Sequence, residues 1–157
     1  MPPPLLFDLA GMDLTRVVMG PDEIRRYNPH RHEMEQLSAI VHLDRETGRI
    51  VALREIGADE FWVRGHIPGR PLFPGVLLIE AAAQMCSLYY KWVTEDSRFL
   101  GFGGVDEVKF RGQVVPGDRL VLLGQAEEIR SRRARFRAQG VVKDALVFEG
   151  RITGVPL

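Results

Sequence analysis

The stretch "PGVLLIEAAAQMCSLYYKW", from Pro74 to Trp92, restricts the fold more than any other part of the chain. Proline at the first position and the absence of any breaker until Trp92 predict one long helix. Apolar residues fall on nearly all its sides, so the rest of the fold must surround it. The longest apolar run, Gly75 to Tyr90, is interrupted by Glu80 and Gln84, so no stretch is long and apolar enough to span a bilayer. Glu80 is the residue that needs a reason. A buried carboxylate is costly unless it is neutral or paired, and no cation stands within a helical turn of it on either side.

The segments around this helix read as strands. "LSAIVHLD" and "RIVALREI" are joined across "RETG", where Gly48 supplies the turn. After the helix come "RFLGFGGVDEVKF", "RLVLLGQAEEI", "RARFRAQGVV" and "ALVFEGRITGV", parted by polar turns. In "RARFRAQGVV" the alternation puts Arg133, Arg135 and Arg137 on one face and Ala134, Phe136 and Ala138 on the other. A short helix is expected from Pro21 to near Pro29, and residues 1–20 form an N-terminal arm. Long strands with one apolar helix predict an α+β fold, an antiparallel β-sheet wrapped around that buried central helix.

The chain has 157 residues, enough for one domain spanning 1–157 with a sizeable core. Lys plus Arg and Asp plus Glu both number 21, so no basic excess points to nucleic acid. "MPPPLLFDLAGMDLTR" lacks a basic region before an apolar block, so no signal peptide is expected and a cytoplasmic protein is. Cys86 is the sole cysteine, which excludes an intrachain disulfide and fits a small buried residue better than a nucleophile. His30 and His32 lack further ligands, so no metal is expected.

Chemistry concentrates in "GHIPGRPLFPGVLLIEAAAQ", residues 65–84. Pro68, Pro71 and Pro74 stiffen the approach to the helix. Since Pro74 has no N–H, the Gly75 and Val76 amides are the first free donors at the positive helix end. Such an end suits a carbonyl oxygen that gains charge during reaction. His66 stands just upstream, and histidine is the residue type suited to serve as a base near neutral pH. A carboxyl group in apolar surroundings, as expected for Glu80, is favoured as a proton donor. Gln84, one turn later on the same face, is placed to orient that carboxyl or a water. Base, acid and helix end are what elimination of water beside a thioester carbonyl requires.

The same stretch resembles the signature of the β-hydroxyacyl-acyl carrier protein dehydratases, a hot-dog fold family. The match is ungapped at His66, Pro68, Gly69, Pro71, Pro74, Gly75, Val76, Glu80, Ala81, Ala83 and Gln84. "NPHR" at Asn28–Arg31 and "GGVDEVKFRGQVVPGD" resemble two further family segments. The resemblance implies that His66 is the catalytic histidine and Glu80 the catalytic acid, without a cofactor. It implies that Gly75 binds the thioester carbonyl through its N–H, with Val76, Gln84, Ile67 and Phe73 nearby on the substrate path. It also implies a homodimer in which histidine and acid come from different subunits. Acyl carrier protein is the implied partner, with Lys109 and Arg111 meeting its acidic surface or serving only as solvated charges.

The chain departs from the family at "HEMEQLSAI", where an apolar run is usual, and at Ile67, Arg70 and Phe73. Phe73 in place of methionine predicts a narrower acyl tunnel and shorter substrates. Two other readings stand beside the dehydratase: an acyl thioesterase using Glu80 to activate water, and a non-catalytic acyl-binding partner.

Overall fold

The computed structural model describes residues 2–157. A short helix α1 (Pro21–Tyr27) precedes strands β1 (Ala39–Asp44) and β2 (Arg49–Glu55). The long helix α2 (Gly75–Thr94) follows, then β3 (Leu100–Phe110), β4 (Arg119–Ile129), β5 (Ala134–Val142) and β6 (Ala145–Pro156). The strands form one antiparallel sheet in the order β1-β2-β4-β5-β6-β3. The sheet holds α2 against one face, which is the hot-dog arrangement.

Period-two alternation sorts the side chains of the sheet. Ile50, Ala52, Leu120, Leu122, Phe136 and Ala138 face α2 and pack with Leu78, Ala81, Ala82, Met85 and Tyr89. The packing there is so close that a Cβ on Gly124 would stand 2.8 Å from Ile50 of β2 and 3.0 Å from Met85 of α2. Only glycine leaves room there. Gly48 takes φ +72° at the turn between β1 and β2, as expected of that loop. The helix ends at Thr94, two residues beyond the sequence estimate, with Glu95 left-handed and its amide bonded to the Lys91 carbonyl at 2.8 Å.

The opposite face of the sheet is not left to solvent. Val51, Leu53, Leu123 and Val141 are buried there beneath Phe7, with Leu5, Leu6, Leu9 and Met12 around it. The Gln139 side chain pins this arm by accepting from Leu6 N at 2.8 Å and donating to Pro4 O at 3.1 Å. The unbroken apolar run in β2 reflects burial on both faces. Phe7 is 5% exposed, and the Arg49 guanidinium lies 4.9 Å from its ring centre. Phe7→Ala is expected to lower unfolding free energy by about 3 kcal/mol, the usual cost of truncating a buried aromatic ring. Urea titration checks this, and a loss below about 1 kcal/mol would show that the arm contributes little to stability.

Candidate active site

Glu80 lies five residues into α2, where the helix passes beneath β3 and β6. Its side chain is 19% exposed and lines a cavity of about 120 Å³. His30, Gln84, Ser87, Phe102, Phe136 and Ile152 are among the other walls, so the space is mainly apolar with a few polar groups in its lining. No arginine or lysine pairs with Glu80 among the described residues. Instead the Gln84 amide donates to Glu80 Oε1 at 2.8 Å, and His30 Nε2 stands 3.5 Å from the same oxygen.

Gln84 is 3% exposed and fully engaged. Besides Glu80, its Nε2 donates to Met34 O at 2.6 Å, and its Oε1 accepts from Gln36 N at 3.0 Å. The segment "HEMEQLSAI" therefore supplies backbone groups that hold Gln84 in place. Asn28 Nδ2 adds a bond to the Gln84 carbonyl at 3.1 Å. A rigid amide against a carboxyl oxygen is what fixes the direction of the acid.

His66 occupies the loop before α2 and is exposed in the protomer. Its Nδ1 lies 2.7 Å from Leu72 O. A carbonyl oxygen only accepts, so Nδ1 donates this bond, and in the neutral ring that leaves the Nε2 lone pair free, the form a base requires. The backbone holds the ring in place through His66 N to Trp62 O at 2.7 Å and Leu72 N to His66 O at 2.9 Å. His66 is not a wall of the cavity that contains Glu80 within one protomer.

At the start of α2, neither Gly75 N nor Val76 N donates to the chain; the first bonds run from Leu77 and Leu78 to Pro74 O. The Phe110 ring lies over Gly75, and a Cβ there would stand 3.0 Å from it. Val76 and Ile67 point outward, 71% and 47% exposed.

Phe73 departs from the sequence expectation. Its ring is 3% exposed, meets Trp62 edge-on at 5.4 Å and has the Arg54 guanidinium 5.3 Å from its centre. It therefore does not wall the Glu80 cavity, and the narrowing expected of it has no basis in this protomer. Arg54 in turn binds Glu60 and Gln36, and Trp62 Nε1 donates to Glu60 at 3.1 Å. Phe73 thus anchors the loop that carries His66. Arg111 is bonded to Glu149 at 2.8 Å, which partly neutralises it, while Lys109 is exposed. Cys86 is buried, and burial pushes its thiol pKa up, away from nucleophilic use. His30 was considered in the sequence only as a metal ligand; its place beside Glu80 was missed, although "NPHR" marked it.

A family model described as the FabA-like domain matches residues 28–151. The 3-hydroxyacyl-(acyl-carrier-protein) dehydratase FabZ of Clostridioides difficile is 35% identical over 83% of this chain and 92% of its own. The enzyme of that name from Dichelobacter nodosus is 36% identical over 85% of this chain and 94% of its own. The chain belongs to the FabA-like dehydratase family. Solved structures agree on the fold. The dehydratase heterocomplex ApeI:P of Xenorhabdus doucetiae aligns with TM-score 0.74 and 16% identity, over 85% of this chain and 90% of that one. A sigma28-regulated virulence protein of Campylobacter jejuni aligns at TM-score 0.65 and 18% identity, over 87% and 89%. The family match includes "NPHR", His66 and Glu80, but the arm up to Pro21 lies outside it.

Proposed function

We propose that this protein is a 3-hydroxyacyl-acyl carrier protein dehydratase, converting the (3R)-hydroxyacyl thioester to its trans-2-enoyl form in fatty-acid or related lipid synthesis. His66 Nε2 takes the proton from the carbon next to the thioester carbonyl. The free amides of Gly75 and Val76 receive the oxygen as its charge grows. Glu80 gives its proton to the β-hydroxyl, the carbon–oxygen bond breaks, and water leaves. The proton accepted by His66 and the one given by Glu80 balance, so the step is redox-neutral and calls on no cofactor. The observation that carries this reading is Glu80 itself, set in a mainly apolar cavity with one oxygen held by Gln84 and no arginine or lysine against it among the described residues.

The proposal includes a second copy of the chain. The β1 edge of the sheet is bridged by Met19 of the arm, but β3 leaves its outer edge unpaired. Phe102, Val105 and Phe110 on β3 are 52%, 37% and 53% exposed. An open apolar edge favours pairing with another strand. The reading requires that a partner seated there present its own His66 loop to Glu80. Lys109 is the freer of the two cations proposed to meet an acidic carrier protein, Arg111 being tied to Glu149. A cytoplasmic location fits this reading, and no helix among the described residues is long and apolar enough to cross a membrane.

The test is incubation with hydroxyacyl-loaded carrier protein, followed by mass spectrometry. Loss of water with the thioester intact is the expected result. Release of free hydroxy acid would assign a thioesterase, and an unchanged substrate would leave only acyl binding.

A further inference from the structure

We propose that His30 is a positioning residue for the Glu80 carboxyl, a second histidine for the site that comes from the same chain as the acid. This rests on the reading of Glu80 as the proton donor. His30 Nε2 stands 3.5 Å from Glu80 Oε1, the oxygen that already accepts from Gln84 at 2.8 Å. Both neighbours crowd one oxygen. Glu80 Oε2 has no hydrogen bond within the described chain, and it is left to meet the reacting hydroxyl.

The backbone that carries His30 is tied to the same part of α2. Asn28 donates to the carbonyl of Gln84, and Arg31 ties the turn together through Asn28 O at 2.8 Å and His30 O at 2.7 Å. The Phe99 ring meets the imidazole edge-on at 6.1 Å. Nδ1 is buried and has no partner. A neutral imidazole has one N–H, and with Nδ1 facing nothing, the proton belongs on Nε2, toward Oε1.

The charge on His30 matters as much as its place. An imidazolium would form an ion pair with Glu80 and hold it as a carboxylate, which cannot donate a proton. Burial lowers the pKa of His30 and outweighs the pull of Glu80, with Lys91 and Arg31 acting in the same direction as burial and Glu35 against it. His30 thus stays neutral, and its Nε2, 3.5 Å from Oε1, acts on the acid by close approach rather than through a short hydrogen bond.

His30→Leu keeps the bulk, removes the donor and deletes a buried unpartnered nitrogen, so folding should survive. Loss of orientation should lower kcat by about 10–100-fold with KM little changed. His30→Gln sets an amide N–H near the place of Nε2 and should recover most of that loss. Nitrogen-15 spectra should show His30 protonated on Nε2 alone at neutral pH. Equal damage from Leu and Gln, or a doubly protonated ring, would overturn the proposal. So would undiminished turnover in His30→Leu when Glu80→Gln is inactive. Turnover near wild type in Glu80→Gln would instead remove the acid on which the inference stands.

Discussion

Glu80→Gln is expected to fold normally and to lose about 10²–10⁴-fold in kcat for dehydration, the usual contribution of a positioned acid. The amide matches the carboxyl in size. Its carbonyl oxygen can still accept from Gln84 Nε2, which lies 2.8 Å from Glu80 Oε1. The variant therefore leaves no hole and keeps the Gln84 donor paired, and the new amide N–H groups face the partly exposed cavity, so thermal unfolding should shift little. What it lacks is a proton to give to the leaving hydroxyl. Substrate binding depends on the cavity walls and the helix-end amides, so KM should change far less than kcat. A steady-state assay decides the matter, and kcat within about tenfold of wild type would take Glu80 out of the chemistry.

How far the site was legible depends on the distance over which each contact acts. Gln84 against Glu80 is an i, i+4 pair on one helix, and helical periodicity alone brings the two together. The helix itself was legible because Pro74 and Gly75 mark its start and its apolar surface demands burial. His30 beside Glu80 was not legible from spacing. The two are far apart in sequence, and they meet only because the turn after α1 is bonded to the Gln84 carbonyl.

Phe73 shows the opposite failure. It stands next to the reactive turn in sequence, yet its ring points into the packing of Trp62 and Arg54. Side-chain direction in a loop follows no period, so nearness in sequence misled. The arm is a third case. The continuous apolar run Ile50–Leu53 in β2 signals burial on both faces, but only the fold shows that Phe7 supplies the second cover. The pairing of Arg111 with Glu149 was not legible in the sequence, because Glu149 lies across the β3–β6 pairing.

Mixing two inactive chains is expected to restore activity. His66→Ala removes the base and Glu80→Gln removes the acid, so each variant alone should be inactive. In the proposed dimer, each site takes His66 from one copy and Glu80 from the other. A mixed dimer then holds one site with both groups intact and one with neither. Free exchange at equal amounts makes about half of the dimers mixed, so roughly a quarter of wild-type activity should return. The protomer makes this arrangement physically reasonable. His66 is exposed, its Nε2 is unoccupied, and it does not wall the cavity of its own Glu80. The edge of β3, with Phe102 and Phe110 exposed, offers the surface through which another copy can approach. If the two residues worked within one chain, no mixture could join them and activity would stay absent. Differently tagged chains that co-purify would prove that exchange occurred, and an inactive mixture under that condition would overturn the shared site.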